Sequence, residues 1–303
     1  NPWPNRGPPA VTAPPGPQRV ARMYHPRIAH PLSWLVRPCV MGVLNVTPDS
    51  LWMGRGSLDA GAAHERLTAM AEAGAAICDV GAESTRPGAD PVDATTQLAR
   101  LSGVLAAMEQ TRLPLPVSVD TTLAPVARAA LEAGAVLVND VTAGRADPAL
   151  LPLVAEHGAG VCLVHMRGTP RDMQRDPRYD DVVAEVREHL ACRIDAAVAA
   201  GIAPDHIVVD PGIGFAKTLQ HNLTLLAGVD EIAALGCPVL VGVSRKSMFG
   251  TLLGRDVDER MPAPLAAGLA AVAHGADVLR VHDVRESVDA VRVWAAVEGA
   301  RGG

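Results

Sequence analysis

From Cys39 onward the chain repeats one arrangement: a helical stretch closes at glycine, a short β-branched run follows, and a polar residue stands where the run stops. The runs are Val40–Val46, Ala76–Val80, Pro116–Asp120, Val136–Asp140, Gly160–His165, His206–Asp210, Val239–Val243 and Val278–Val281, eight in all. Near-continuous apolar runs alternating with helices imply parallel strands buried on both faces. Eight such units predict closure into an α/β architecture of the (β/α)8 TIM-barrel type. An open doubly wound sheet would place a Gly-rich dinucleotide loop after the first strand, and none is present. Most helix-to-strand joints read Gly-Ala, at Gly74, Gly134, Gly158 and Gly275, as expected where a helix ends in a left-handed residue.

One barrel, expected over residues 38–297, accounts for most of the 303 residues. Residues 1–30 are Pro-rich and lack the apolar segment of a signal peptide, so they read as a disordered leader or the cut end of a longer chain. Residues 298–303 read as a flexible tail. The net charge of −6 and the scattered arginines argue against a nucleic-acid partner. The absence of an apolar stretch of about 18 residues argues against a membrane span. Five cysteines occur singly, without a CxxC, which points to a reduced, cytoplasmic protein without a thiolate metal centre.

Only two lysines survive among 27 basic residues, Lys217 and Lys246, and the only two phenylalanines, Phe215 and Phe249, lie within three residues of them. A lysine needed only for charge can drift to arginine, whereas one needed as a compact ammonium cannot. Both lysines are therefore candidates for specific contacts.

The carboxyl ends of barrel strands build the active site of this architecture. Here those ends carry Asn45, Asp79, Asp120, Asn139 with Asp140, His165, Asp210, then Ser244, Arg245 and Lys246, and finally Arg280 with His282. Asp120, Asn139 and Asp210 can offer acceptors and an amide to the edge of a flat heterocycle, while Arg86, Lys246, Arg280 and His282 can hold an anion.

The chain resembles the dihydropteroate synthases from about Pro38 to Val297. The resemblance rests on Met41-Gly-Val-Leu-Asn-Val-Thr-Pro-Asp-Ser50, Glu83-Ser-Thr-Arg-Pro-Gly88, Ser118-Val-Asp120, Asn139-Asp-Val141, His165-Met-Arg-Gly-Thr-Pro170, Asp210-Pro-Gly-Ile-Gly-Phe215, Ser244-Arg-Lys-Ser247 and Arg280-Val-His-Asp-Val284. It implies condensation of 6-hydroxymethyl-7,8-dihydropterin diphosphate with 4-aminobenzoate, giving 7,8-dihydropteroate and diphosphate. It further implies Asp120, Asn139, Asp210 and Lys246 as the pterin pocket, and Asn45 as ligand of a Mg²⁺ ion riding on the diphosphate. Arg86, Arg280 and His282 are implied as anion contacts, and Thr85, Pro87, Phe215 and Ser247 as the aminobenzoate pocket, where sulfonamides would compete. Lys217 and Arg245 join the substrate-binding set, and a homodimer is implied as well.

The likeness lapses after Ser50, where the family continues with Phe, Ser, Asp, Gly, Gly and this chain reads Leu51-Trp-Met-Gly-Arg55. Ala216 stands where the family has glycine, adding a Cβ to a loop in which glycine can take a positive φ. Ala263 and Pro264 replace a glycine and a hydroxyl residue, a change suited to the first turn of a helix. Two alternatives share the pterin pocket: a pterin-dependent methyltransferase barrel and a catalytically silent pterin-binding paralogue. Ser84-Thr-Arg-Pro87 and Ser244-Arg-Lys-Ser247 count against the first, and the anion contacts count against the second.

Overall fold

The computed structural model describes residues 30–47 and 58–301. Eight parallel strands alternate with helices: β1 (Cys39–Asn45), β2 (Ile77–Gly81), β3 (Val117–Asp120), β4 (Leu137–Asp140), β5 (Gly160–Val164), β6 (Ile207–Asp210), β7 (Leu240–Val241) and β8 (Val278–Val281). The hydrogen-bonded order is β6-β5-β4-β3-β2-β1-β8-β7, and a parallel bridge between Val209 and Val239 brings the two ends together. The barrel read from the sequence is therefore the barrel observed. Strand β7 is shorter than the expected Val239–Val243, because only its first residues reach a partner on either side.

Register and the two-residue period of a strand divide the side chains between two cores. Cys39, Met41, Ile77, Leu137, Cys162, Val164, Val208, Leu240 and Val278 fill the barrel interior, while Val40, Cys78, Val80, Val161, Leu163 and Val209 face the surrounding helices. The pairings Asn45 with Gly81, Gly81 with Asp120, and Asp120 with Asn139 carry one interior level across four strands at the carboxyl end. The alternation that packs the interior thus also aims the terminal polar residues into the mouth.

The helices are α1 (Ala60–Glu72), α2 (Ala94–Gln110), α3 (Ala124–Glu132), α4 (Leu150–Glu156), α5 (Val182–Ala199), α6 (Leu219–Ala227), α7 (Val229–Ala233), α8 (Met248–Leu253), α9 (Pro262–Ala273) and α10 (Val284–Arg301). Asp59, Asp93 and Asp181 accept backbone N–H bonds at the starts of α1, α2 and α5, satisfying donors that the first turn leaves open. Pro262 and Pro264 both lie in the first turn of α9, where a missing N–H costs nothing. Gly74, Gly134, Gly158 and Gly275 all have positive φ, as the Gly-Ala joints require.

Two boundaries differ from the sequence reading. Helix α10 continues through Arg301, whose guanidinium pairs with Glu298 one turn earlier, so residues 298–301 are helix rather than tail. At the other end, Leu32 and Trp34 are buried in the interior core, which makes the segment ahead of β1 part of the barrel. His30 anchors that segment: its Nδ1 accepts from the Leu32 N–H, so Nε2 carries the proton that meets Asp205 at 3.0 Å. Among the described residues no helix is long and apolar enough to cross a membrane.

Candidate functional site

The mouth is organised by a buried carboxylate that belongs to no substrate set read from the sequence. Asp79 is fully buried and accepts from Ser118 Oγ at 2.6 Å, from Asn139 Nδ2 at 2.9 Å and from Arg280 Nε at 2.6 Å. Arg280 Nη2 also donates to Asp120 at 2.7 Å. An ionised carboxylate only accepts, so the Asn139 amide must turn its nitrogen toward Asp79. Its oxygen is then left buried and without a partner among the described residues. Asn139 consequently presents an acceptor to the mouth, beside the carboxylates of Asp120 and Asp210.

Burial governs the electrostatics here. It pushes the Asp120 carboxyl up to about 7 against the pull of Arg280, with Asp79 and Asp140 adding to the rise. Burial also raises Asp210, opposed by the Gly212 N–H that donates to it at 2.7 Å and by Lys246. Lys246 is drawn down to about 8 by burial, and Asp210 and Asp120 hold it from falling further. Its ammonium lies 4.4 Å from the centre of the Phe215 ring, within cation–π range.

The anion-binding candidates divide by setting. His282 is lowered to about 3, first by burial and then by Arg245, Arg280, Arg86 and Lys246, and is neutral at physiological pH. Ser244 Oγ accepts the His282 backbone N–H at 3.2 Å and lies 3.0 Å from its Nδ1. The serine proton is therefore free to go to Nδ1, which leaves Nε2–H as a donor. Arg86 and Pro87 are exposed and Thr85 is half-buried on the loop after β2, which Glu83 braces by accepting from Val92 N–H and Gln97 Nε2. Gly88 N–H bonds Pro170 O, tying that loop to the one after β5. Ser247 is exposed at the start of α8.

Three expectations change. Arg280 was expected as an anion contact, yet two of its nitrogens are committed to Asp79 and Asp120; only Nη1 lacks a partner among the described residues. Arg245 sits at positive φ and pairs with Asp283 at 3.3 Å. Lys217 does not offer its side-chain nitrogen to the mouth: Nζ is held by His165 Nδ1, Gly212 O and Phe215 O at 2.9, 3.0 and 2.9 Å, and burial lowers its pKa well below the usual range. The altered segment Leu51, Trp52 and Met53 lies outside the described residues.

A metal on the diphosphate would call for oxygen donors. The Asn45 side chain meets that need, since it flanks Gly81 opposite Asp120 and accepts no hydrogen bond from the described residues. A Cβ at Gly81 would lie 3.4 Å from Asp120 Cβ and 3.6 Å from Asn45 Oδ1, so the absence of a side chain there leaves the two polar groups facing one another.

The family described as pterin binding enzyme matches residues 41–282. The chain is 49% identical over 264 residues to the dihydropteroate synthase of Mycobacterium leprae, covering 85% of this chain and 92% of that one. The chain belongs to the dihydropteroate synthase family. The Escherichia coli K12 dihydropteroate synthase is 45% identical over 269 residues, covering 88% of this chain and 94% of its own. Among solved structures, a Yersinia pestis dihydropteroate synthase in a sulfonamide drug complex superposes with a TM-score of 0.81 at 40% identity, covering 88% and 96% of the two chains. A Xanthomonas albilineans dihydropteroate synthase with 4-aminobenzoic acid gives 0.80 at 45% identity, covering 87% and 94%. For a dihydropteroate synthase family member, Asp79, placed at the mouth by its strand end, and Ser118, in a matching segment, are the residues to which the sequence assigned no role. The signal was present, because both share a face with Asp120 under strict alternation.

Proposed function

We propose that the chain is a transferase that condenses 6-hydroxymethyl-7,8-dihydropterin diphosphate with 4-aminobenzoate to give 7,8-dihydropteroate and diphosphate. The observation that carries this reading is the acceptor set of Asp120, Asn139 Oδ1 and Asp210, with the Asn139 amide oriented by Asp79. A reduced pterin presents ring N–H and exocyclic amine donors along one edge, and three fixed acceptors in a buried mouth select that edge over a heterocycle of reversed polarity.

The diphosphate departs from a methylene attached to an electron-rich ring, so carbon–oxygen cleavage can run ahead of attack by the arylamine. The electron pair of that bond leaves with the diphosphate, and the cation left on the methylene is stabilised by the pterin. The residues then need to hold the departing charge and place a neutral amine nearby. His282 through Nε2–H, Arg280 through Nη1, Arg86 and Lys246 take the first role in this proposal. Thr85, Pro87, Phe215 and Ser247 take the second, and the same pocket would admit sulfonamides. Asn45 would hold Mg²⁺ beside the diphosphate oxygens, where the ion supplies neutralising charge to the leaving group. Pairing of two copies, implied by the family likeness, belongs to the same proposal and is read by light scattering.

The deciding measurement is diphosphate release by the purified protein. Release that requires pterin diphosphate, 4-aminobenzoate and Mg²⁺ together, and falls with a sulfonamide, is the expected result. Sustained turnover independent of the arylamine, or none with all three present, would overturn the reading.

A further inference from the structure

The loop Gly212–Lys217 is an unusual piece of backbone. Gly212, Gly214 and Ala216 all have positive φ, at 69°, 84° and 52°. A Cβ on Gly212 would fall 1.9 Å from His165 O, and one on Gly214 would fall 2.9 Å from the Lys246 side chain. Alternating left-handed residues, one of them an alanine, persist only where the surroundings over-determine them.

The surroundings here are hydrogen bonds to the N–H and the carbonyl of Gly212, Gly214 and Phe215. Gly212 N–H donates to Asp210, Gly214 N–H to Asn222 Oδ1, and Phe215 N–H to Gly212 O. Gln174 Nε2 donates to Gly214 O at 2.7 Å. Two further acceptors, Gly212 O and Phe215 O, converge on the Lys217 amine together with His165 Nδ1. Three partners meet at one compact amine nitrogen, which a planar guanidinium cannot do, and burial holds the Lys217 pKa well below its usual range against the pull of Asp210.

We propose that Lys217 is a positioning residue for the substrate site: it ties the carbonyls of Gly212 and Phe215 to the end of β5 and so sets the Phe215 ring against Lys246 and the Gly212 N–H against Asp210. This accounts for both surviving lysines, one over the face of Phe215 and the other on its carbonyl. It also holds His165 through Nδ1, at 2.9 Å. The inference rests on the proposed pterin transferase reading only for which kinetic constant should move.

The test is a double-mutant cycle between Lys217→Met and Phe215→Leu, read as KM for 4-aminobenzoate, with histidine ¹⁵N spectra of the same proteins. Each single variant should raise KM about tenfold, and the double variant should be little worse than either alone, since the lysine acts through the ring. Independent effects multiplying to about a hundredfold would overturn the proposal. The spectra need no substrate: His165 Nδ1 should report a hydrogen-bonded nitrogen in the wild type and lose that hydrogen bond in Lys217→Met. A His165 Nδ1 resonance unmoved by Lys217→Met also overturns it, whatever the wild-type protein proves to catalyse. Lys217→Gln, which keeps two N–H donors, enters the same cycle if Lys217→Met does not fold.

Discussion

Replacing Asp79 by asparagine and by alanine separates its charge from its orienting role. Asp79 Oδ2 receives two donors, Asn139 Nδ2 and Arg280 Nε, and Oδ1 receives one, the Ser118 hydroxyl. In Asp79→Asn the new amide nitrogen cannot face two donors, so it must take the Oδ1 position, where Ser118 can turn and accept. The Asn139 amide then keeps its orientation. Breaking a buried ion pair costs about 3–5 kcal/mol, but Arg280 retains Asp120 and the asparagine oxygen retains both hydrogen bonds, so about 2 kcal/mol of stability should be lost. In Asp79→Ala three donors lose their acceptor in a fully buried site, and the full penalty of about 3–5 kcal/mol applies. Asn139 is also released to turn its nitrogen toward the mouth, opposing a substrate donor, which should cost about 1.4 kcal/mol or more, a further tenfold in pterin affinity. Denaturant melts give the stability differences, and calorimetry with a pterin lacking diphosphate gives the affinities. Equal loss of affinity in the two variants would show that Asp79 acts through charge alone, and native affinity in Asp79→Ala would remove the orienting role altogether.

Arg280→Ala should weaken a pterin lacking diphosphate, because Asp120 loses the cation that restrains its rise above about 7 and becomes protonated at neutral pH, and should weaken pterin diphosphate further through loss of the Nη1 contact; calorimetry showing a loss confined to the diphosphate form would contradict the first effect. Gly212→Ala forces a Cβ to within 1.9 Å of a backbone carbonyl at a φ of 69°, so about 3 kcal/mol of stability should go, and a change of under about 0.5 kcal/mol by urea denaturation would refute the packing argument. Lys246 loses its proton near 8 in the folded protein, so affinity for pterin diphosphate should fall about tenfold from neutrality to about pH 9, and a flat calorimetric profile would reject its charge as the contact. The linked stability has the opposite sign: between about 8 and 10.5 the unfolded chain holds the extra proton, so this group's contribution is full above 10.5 and is lost as pH falls through 8. Opposed slopes for melting and binding, removed together in Lys246→Met, are the expected signature.

Both the barrel and the membership of its mouth were legible in the chain, because each depends on a local regularity. A strand's two-residue period decides which side chains face inward, and a polar residue at the end of an apolar run must lie at the rim, so Asp120, Asn139, Asp210 and Lys246 could be gathered from spacing alone. The partner that each side chain would choose was not legible. Arg280 and Asp79 are 201 positions apart, and Lys217 and His165 are 52. Which of several inward-facing groups come within hydrogen-bonding distance depends on strand stagger and closure around the whole ring, and no local pattern encodes that. The tertiary structure therefore turned Arg280 from a free cation into the counter-ion of two carboxylates. It aimed the Asn139 oxygen rather than its nitrogen at the mouth, and it gave two lysines of equal standing in the sequence different work, one facing Phe215 from the mouth and one holding its backbone from behind. Leu32 and Trp34 follow the same rule: nothing in their neighbourhood marks them as core, and only a closed barrel with an open lower end supplies the apolar surface that buries them.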